Sequence, residues 1–136
     1  MSAPEGQTPS GSFPLRTHLG MEVGSSADGS GGAHLRVDAR HLNPNGVVHG
    51  AVLFAMVDTA MGAAAMSVVP AGHLCASIEV HLRFLRPVTG GELTASVEVE
   101  RAGRRVIHLA GRVVDGDDVL VATATGTFAV LPPPGG

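Results

Sequence analysis

The chain is 136 residues long, 44% apolar, 15% charged and 3% aromatic, which suits one domain with a modest core and leaves little room for a second. Its formal net charge is −3, and its nine basic residues, all arginine, lie scattered along the sequence. That excludes an electrostatic nucleic-acid binder and offers no basic stripe to a membrane. The single cysteine, Cys75, excludes an internal disulfide and a cysteine-rich metal cluster, and makes a reducing, cytoplasmic location the expectation.

Residues 1–14 are rich in Ser, Gly and Pro and lack the apolar run of a signal peptide, so they read as a disordered leader. Residues 132–136 read as a matching disordered tail, which leaves one domain over 15–131. Its first predicted elements are two short strands, Leu19–Ser26 and Ala33–Val37, around the Gly-rich turn Asp28–Gly32. Turn chemistry follows in His41–Gly46, where Asn45-Gly46 supplies positive-φ positions and Pro44 keeps Asn43 out of the helical region. From Gly50 to Val69 the chain is rich in Ala, Met and Leu, which predicts a helix. The run has no polar face, so the helix is expected to be buried on most sides. Asp58 at its centre and its many small residues argue against a membrane span.

Past Gly72 the period becomes two. Ala76, Ile78, Val80, Leu82 and Phe84 alternate with Ser77, Glu79, His81 and Arg83, and a second alternating run covers 92–100. Two β-branched strands follow at 105–114 and 119–130, and the short connections predict a four-stranded antiparallel meander. One apolar helix and one sheet with an apolar face satisfy each other when the sheet wraps the helix, giving an α+β domain. Small residues at Ala60 and 62–65 allow close approach, and open sheet edges favour pairing between subunits.

The chemistry concentrates in Asn43–Asp58. Asp58 has Phe54, Ala55, Met61 and Gly62 at its i±3 and i±4 positions, so no cation on its own helix pairs with it. It is either a functional carboxylate or one satisfied by a distant partner. Gly50 stands where loop becomes helix. It either exposes an unpaired N–H as an oxyanion donor or merely permits a tight junction. His49 beside it either positions substrate or caps that junction. Eight residues of helix put Gly50 and Asp58 about 12 Å apart along the axis, whereas attack on a carbonyl needs about 3–3.5 Å. If both act on one substrate, Asp58 comes from a second subunit across a two-fold axis, and a dimer carries two interfacial sites.

The pattern Asn43-x-x-Gly46-x-x-His49-Gly50-x7-Asp58, followed by a helix and four strands, resembles the hotdog-fold acyl-CoA thioesterases of the phenylacetyl-CoA (PaaI-like) type over roughly 15–131. The resemblance implies a hydrolase that splits an acyl-CoA thioester into free acid and coenzyme A. Asp58 would be general base or nucleophile, and Gly50 N–H would polarise the carbonyl. Asn43 would help hold the carbonyl or the water, His49 would support the loop, and Ser77 would position water. It further implies a homodimer with sites at the interface, usually doubled to a tetramer. Coenzyme A enters as part of the substrate, and no metal or redox cofactor is implied. The sequence departs at Ala51, where the family usually has a second Gly, which bears on pocket shape more than on chemistry.

Around this set, Gly46 and Phe54 are candidate substrate contacts, and Arg104 and Arg86 are candidates for the coenzyme A phosphates, since guanidinium suits phosphate. Met56, Met61 and Met66 fit either an acyl pocket or the core. The seven histidines show no metal-binding spacing, and Cys75 without a base reads as an inert apolar residue. A hotdog hydratase or dehydratase, a non-catalytic acyl-CoA-binding module and a ligand-free scaffold are the alternatives. The last two leave a mid-helix carboxylate without a purpose.

Overall fold

The computed structural model describes residues 12–135; residues 1–11 of the expected leader and Gly136 of the expected tail lie outside them. A short helix α1 (Pro14–Leu19) begins at a proline, whose fixed φ suits a first helical turn. Strands β1 (Met21–Val23) and β2 (Ser30–Arg36) follow, then a 3-10 turn (Ala39–His41) and the long helix α2 (Gly50–Met66). Strands β3 (Leu74–Phe84), β4 (Glu92–Ala102), β5 (Val106–Asp115) and β6 (Leu120–Leu131) complete the chain. One antiparallel sheet holds all six strands in the order β1-β2-β4-β5-β6-β3, and α2 packs on its apolar face. This is the α+β hotdog arrangement expected from the sequence.

Helix α2 ends at Met66, three residues before the predicted Val69. The Ser67 hydroxyl donates to the Ala64 carbonyl at 2.6 Å and accepts the Gly29 N–H at 2.8 Å, and Val69 precedes Pro70, which disfavours further helical geometry. The core side of α2 is Val52, Leu53, Met56, Val57, Ala60, Met61 and Ala63–Ala65. The helix is buried on most sides, as expected, except along one stripe. Ala51 and Phe54 are exposed and Ala55, Asp58, Thr59 and Gly62 half-buried, an open stripe at helical spacing.

Two readings of the strands change. Gly31 and Gly32 belong to β2, and the turn is at 24–29. A Cβ on Gly31 would collide with the backbone of Ala60 and Ala64, so this glycine serves the sheet–helix approach that the small residues of α2 were expected to allow. The four-stranded meander is also corrected: β4, β5 and β6 form one, but β3 lies beyond β6 and pairs with it. The seven residues between Phe84 and Glu92 reach roughly 25 Å. Three strand spacings come to only about 14 Å. A short connection therefore crosses two intervening strands.

Candidate functional site

The loop before α2 is built by its own side chains. Asn43 Oδ1 accepts the N–H groups of Asn45 at 2.9 Å and Val47 at 3.3 Å, and Asn43 N–H donates to the Val47 carbonyl at 2.7 Å. Gly46 takes φ 78° with open space around it. Positive φ is thus the reason for glycine there, whereas Asn45, expected to share it, does not have a positive φ. His49 is the N-cap: its Nδ1 accepts the Ala51 N–H at 2.9 Å. It thus caps the junction, one of its two sequence readings.

That cap leaves Gly50 distinctive. Its N–H is the first of α2, where no intrahelical acceptor exists, and among the described residues no other acceptor takes it. Gly50 lines a pocket of about 420 Å³ together with Val47, Val48, Leu53, Leu85, Pro87 and Val88, with Arg86 as its charged member and Phe84 against Gly50. A Cβ on Gly50 would stand 3.0 Å from Phe84 Cζ. Glycine here keeps a donor next to an aromatic wall.

Asp58 lies two turns further along α2, on the open stripe. One oxygen, Oδ1, is buried without a hydrogen-bond partner among the described residues. Burial pushes its carboxyl pKa above the ordinary aspartate value, against a smaller opposing pull from a Ser77 hydrogen bond. Cys75, two residues before Ser77, has its thiol pKa raised by burial and then by the Asp58 charge, and its Sγ points at the Gly62 carbonyl at 3.9 Å. A raised pKa matches the inert role read from the sequence.

Ser77 reaches Asp58 because β3 is bulged. Ser77 pairs with Phe128 and Glu79 with the adjacent Thr127, so Ile78 is an extra residue. Before the bulge Cys75 and Ser77 turn toward α2; after it Val80 and Leu82 pack on the core. The uniform alternation read from the sequence therefore fails at Ala76 and Ile78, both of which are exposed.

The candidate residues thus form separate groups in one chain. Asn43, Gly46 and His49 build the loop; Gly50 and Arg86 share a pocket; Ser77 stands close enough to Asp58 to oppose its pKa shift, with Phe54 one turn away on the same stripe. The Gly50 pocket has no Asp58 in its lining. Arg104 stands in a third place, the β4–β5 hairpin, where Arg101, Arg104, Arg105 and His108 border a pocket of about 310 Å³. Met56 and Met61 are wholly buried and belong to the core. The sequence reading missed Phe84 as a wall of the Gly50 pocket, because its apolar alternation looked like core. No three or more His, Cys, Asp or Glu side chains among the described residues group as a metal site. Nor is any described helix long and apolar enough to cross a membrane.

A sheet curled on one helix, a free N–H at the helix start and a carboxylate on its open face define a thioesterase-type hotdog domain. The family model described as thioesterase superfamily matches residues 45–122, and the chain belongs to that superfamily. A candidate esterase of Haemophilus influenzae is 30% identical over 90 residues, 66% of this chain and 65% of that one. A conserved protein of Pseudomonas aeruginosa is 33% identical with a TM-score of 0.83, covering 88% of this chain and 94% of that one. The PaaI protein of the phenylacetic acid degradation operon of E. coli is 27% identical with a TM-score of 0.80, covering 88% and 85%.

Proposed function

We propose that this protein is an acyl-CoA thioesterase that works as a dimer, with each site built from Gly50 of one subunit and Asp58 of the other. The carrying observation is the pair of half-sites. Gly50 offers an unpaired N–H but has no carboxylate in its pocket. Asp58 offers a carboxylate with an unpartnered oxygen but no oxyanion donor beside it. A second copy supplies what each lacks, and β3, an eleven-residue strand at the open edge of the sheet, provides the surface on which it would pair.

In this reading the thioester carbonyl sits on Gly50 N–H, aided by the positive end of α2, and charge on its oxygen in the transition state strengthens that bond. Asp58 of the other subunit removes a proton from water as it attacks the carbonyl carbon, or attacks the carbon itself to form an acyl anhydride. The C–S bond then breaks, and the coenzyme A thiolate leaves and takes up a proton; in the second route water then cleaves the anhydride, releasing the acid and restoring the Asp58 carboxylate. Ser77 orients the Asp58 carboxylate and the water, while Asn43, Gly46 and His49 hold the loop that aims Gly50. Phe54 borders the acyl group. Arg86 at the mouth of the Gly50 pocket and Arg104 on the hairpin meet the phosphates.

The test is a mixing experiment read by free-thiol release from acyl-CoAs. Asp58→Asn alone is expected to lose about 10²–10⁴ in rate while remaining folded and dimeric. Gly50→Pro removes the N–H at a helix position that tolerates proline, and is expected to cost about 10²–10³, well beyond the roughly tenfold cost of Gly50→Ala, which crowds Phe84 but keeps the N–H. Mixing the two inactive variants restores one intact site in half the dimers, roughly a quarter of wild-type activity, if the sites are shared. No recovery in proven heterodimers rejects the shared site. A wild type without turnover on any acyl-CoA rejects the hydrolase reading in favour of a binding module.

A further inference from the structure

His41 is the one buried polar side chain among the described residues, 1% exposed, and the chemistry above gives it no part. Its Nδ1 accepts the backbone N–H of Asp38 at 2.9 Å, so that nitrogen carries no proton. Its Nε2 lies 2.7 Å from the Leu19 carbonyl oxygen, which can only accept, so Nε2 carries the hydrogen and donates it. The two bonds specify one neutral tautomer.

The same residue reaches the site through its backbone. The His41 carbonyl accepts the N–H of His49 at 2.8 Å, immediately ahead of Gly50. Between them the loop is closed by a Leu42–Val48 bridge and the Asn43–Val47 bond. A line of hydrogen bonds therefore runs from the end of α1 through the His41 ring and carbonyl to His49, the residue covalently joined to Gly50.

We propose that His41 is a positioning residue for the Gly50 N–H: its neutral Nε2–H ring ties the 42–49 loop to the Leu19 carbonyl and so sets the direction of the oxyanion donor. The kinetic consequence rests on the thioester-hydrolysis reading; the latch itself does not. The ionisable groups around the ring are Asp38, with Oδ1 3.5 Å from Nδ1, and Arg40, bonded to the Asp38 carboxylate at 3.1 Å and the His18 carbonyl at 2.8 Å. Beyond them stand His18 and Arg16 on α1, with Arg16 Nε on the Met21 carbonyl, and His49 at the start of α2. A second proton on the ring would set one N–H against the N–H of Asp38, so the latch needs the uncharged form.

Two substitutions divide the ring. His41→Asn keeps an acceptor where Nδ1 stands and loses the donor to Leu19, whereas His41→Gln keeps a donor where Nε2 stands and loses the acceptor. With the full chain, long-range 1H–15N spectra of the wild type are expected to show His41 as the neutral Nε2–H tautomer. Acyl-CoA turnover is expected to keep kcat within about threefold in His41→Gln and to lose about tenfold or more in His41→Asn, with KM within about twofold in both. An Nδ1–H tautomer in the wild type overturns the proposal, as does wild-type kcat in a folded His41→Asn. Losses of kcat in both variants that merely follow their Tm also overturn it. If the protein hydrolyses no acyl-CoA, the tautomer still decides, together with amide exchange at His49, whose N–H the His41 carbonyl accepts. That exchange is expected to be faster in His41→Asn than in His41→Gln, and equal rates reject the latch.

Discussion

The two edges of the sheet are treated differently. At one, β1 is three residues long and follows directly from α1, with Met21 buried and Gly20 closing the helix at φ 66°. At the other, β3 runs for eleven residues with Ile78 58% and Phe84 55% exposed and a bulge in the middle. Short edges protected by neighbouring structure discourage further pairing, and long ones with apolar side chains invite it. The open edge is also the one that carries Ser77 to Asp58 and Phe84 to Gly50. The open edge and the strand that lies beside Asp58 and Gly50 are therefore the same piece of chain.

The contrast breaks most visibly if a charge is placed on each edge. Ile78→Lys puts an ammonium group at the bulge of β3, where a pairing subunit would bury it. It is expected to weaken self-association by about a hundredfold or more and to lower activity in parallel. Glu22→Lys, at an already exposed position of β1, is expected to change neither. Sedimentation equilibrium of the two variants beside the wild type decides it: equal association constants for all three would reject β3 as the interface.

A smaller effect sharpens the link between β3 and the start of α2. Gly50→Ala retains the N–H but sets its Cβ 3.0 Å from Phe84 Cζ, tighter than the ring accepts without moving. The substitution is expected to cost about tenfold in kcat/KM, and adding Phe84→Ala to recover most of it. That corresponds to a coupling of about 1 kcal/mol, within the range for residues in contact. Additive losses in the double variant would show that the ring does not constrain Gly50.

What was legible in the sequence divides along the same line. Helix α2 was readable because its Ala/Met/Leu composition persists for many residues, and the loop because Asn43, Asn45 and Gly46 carry turn chemistry in their side chains. Gly50 and Asp58 stood out as a free N–H and a carboxylate without a local partner. The edge strand was misread twice. Period-two counting has no signal for an inserted residue, so the bulge at Ile78 and the inward turn of Ser77 were invisible to it. A seven-residue connection looked like a hairpin because length bounds reach without choosing the neighbour. Gly31 and Gly32 were read as turn because glycine answers both to positive φ and to close packing, and only the opposing backbone tells them apart.

The smallest effect concerns the stability cost of the exposed stripe. Burial raises the Asp58 pKa above its ordinary value in the folded protein. Protons are therefore held more tightly by the native state than by the unfolded chain, and stability falls as pH rises through the ordinary aspartate range. Below that range the carboxyl is neutral in both states and costs nothing; above the raised native pKa the full penalty applies. Asp58→Asn removes the penalty, so it is expected to raise Tm at neutral pH by about 1–3 °C, a modest gain because the group is partly solvated. The gain is expected to vanish near pH 3, where the wild-type carboxyl is already protonated. An increase in Tm that persisted at pH 3 would trace to packing or to the Ser77 bond instead, and a lower Tm at neutral pH would mean that the ionised carboxylate stabilises the fold. With the expected sign, the fold would be more stable without the Asp58 carboxylate, which is what the proposed chemistry requires of a group kept for reaction rather than for stability.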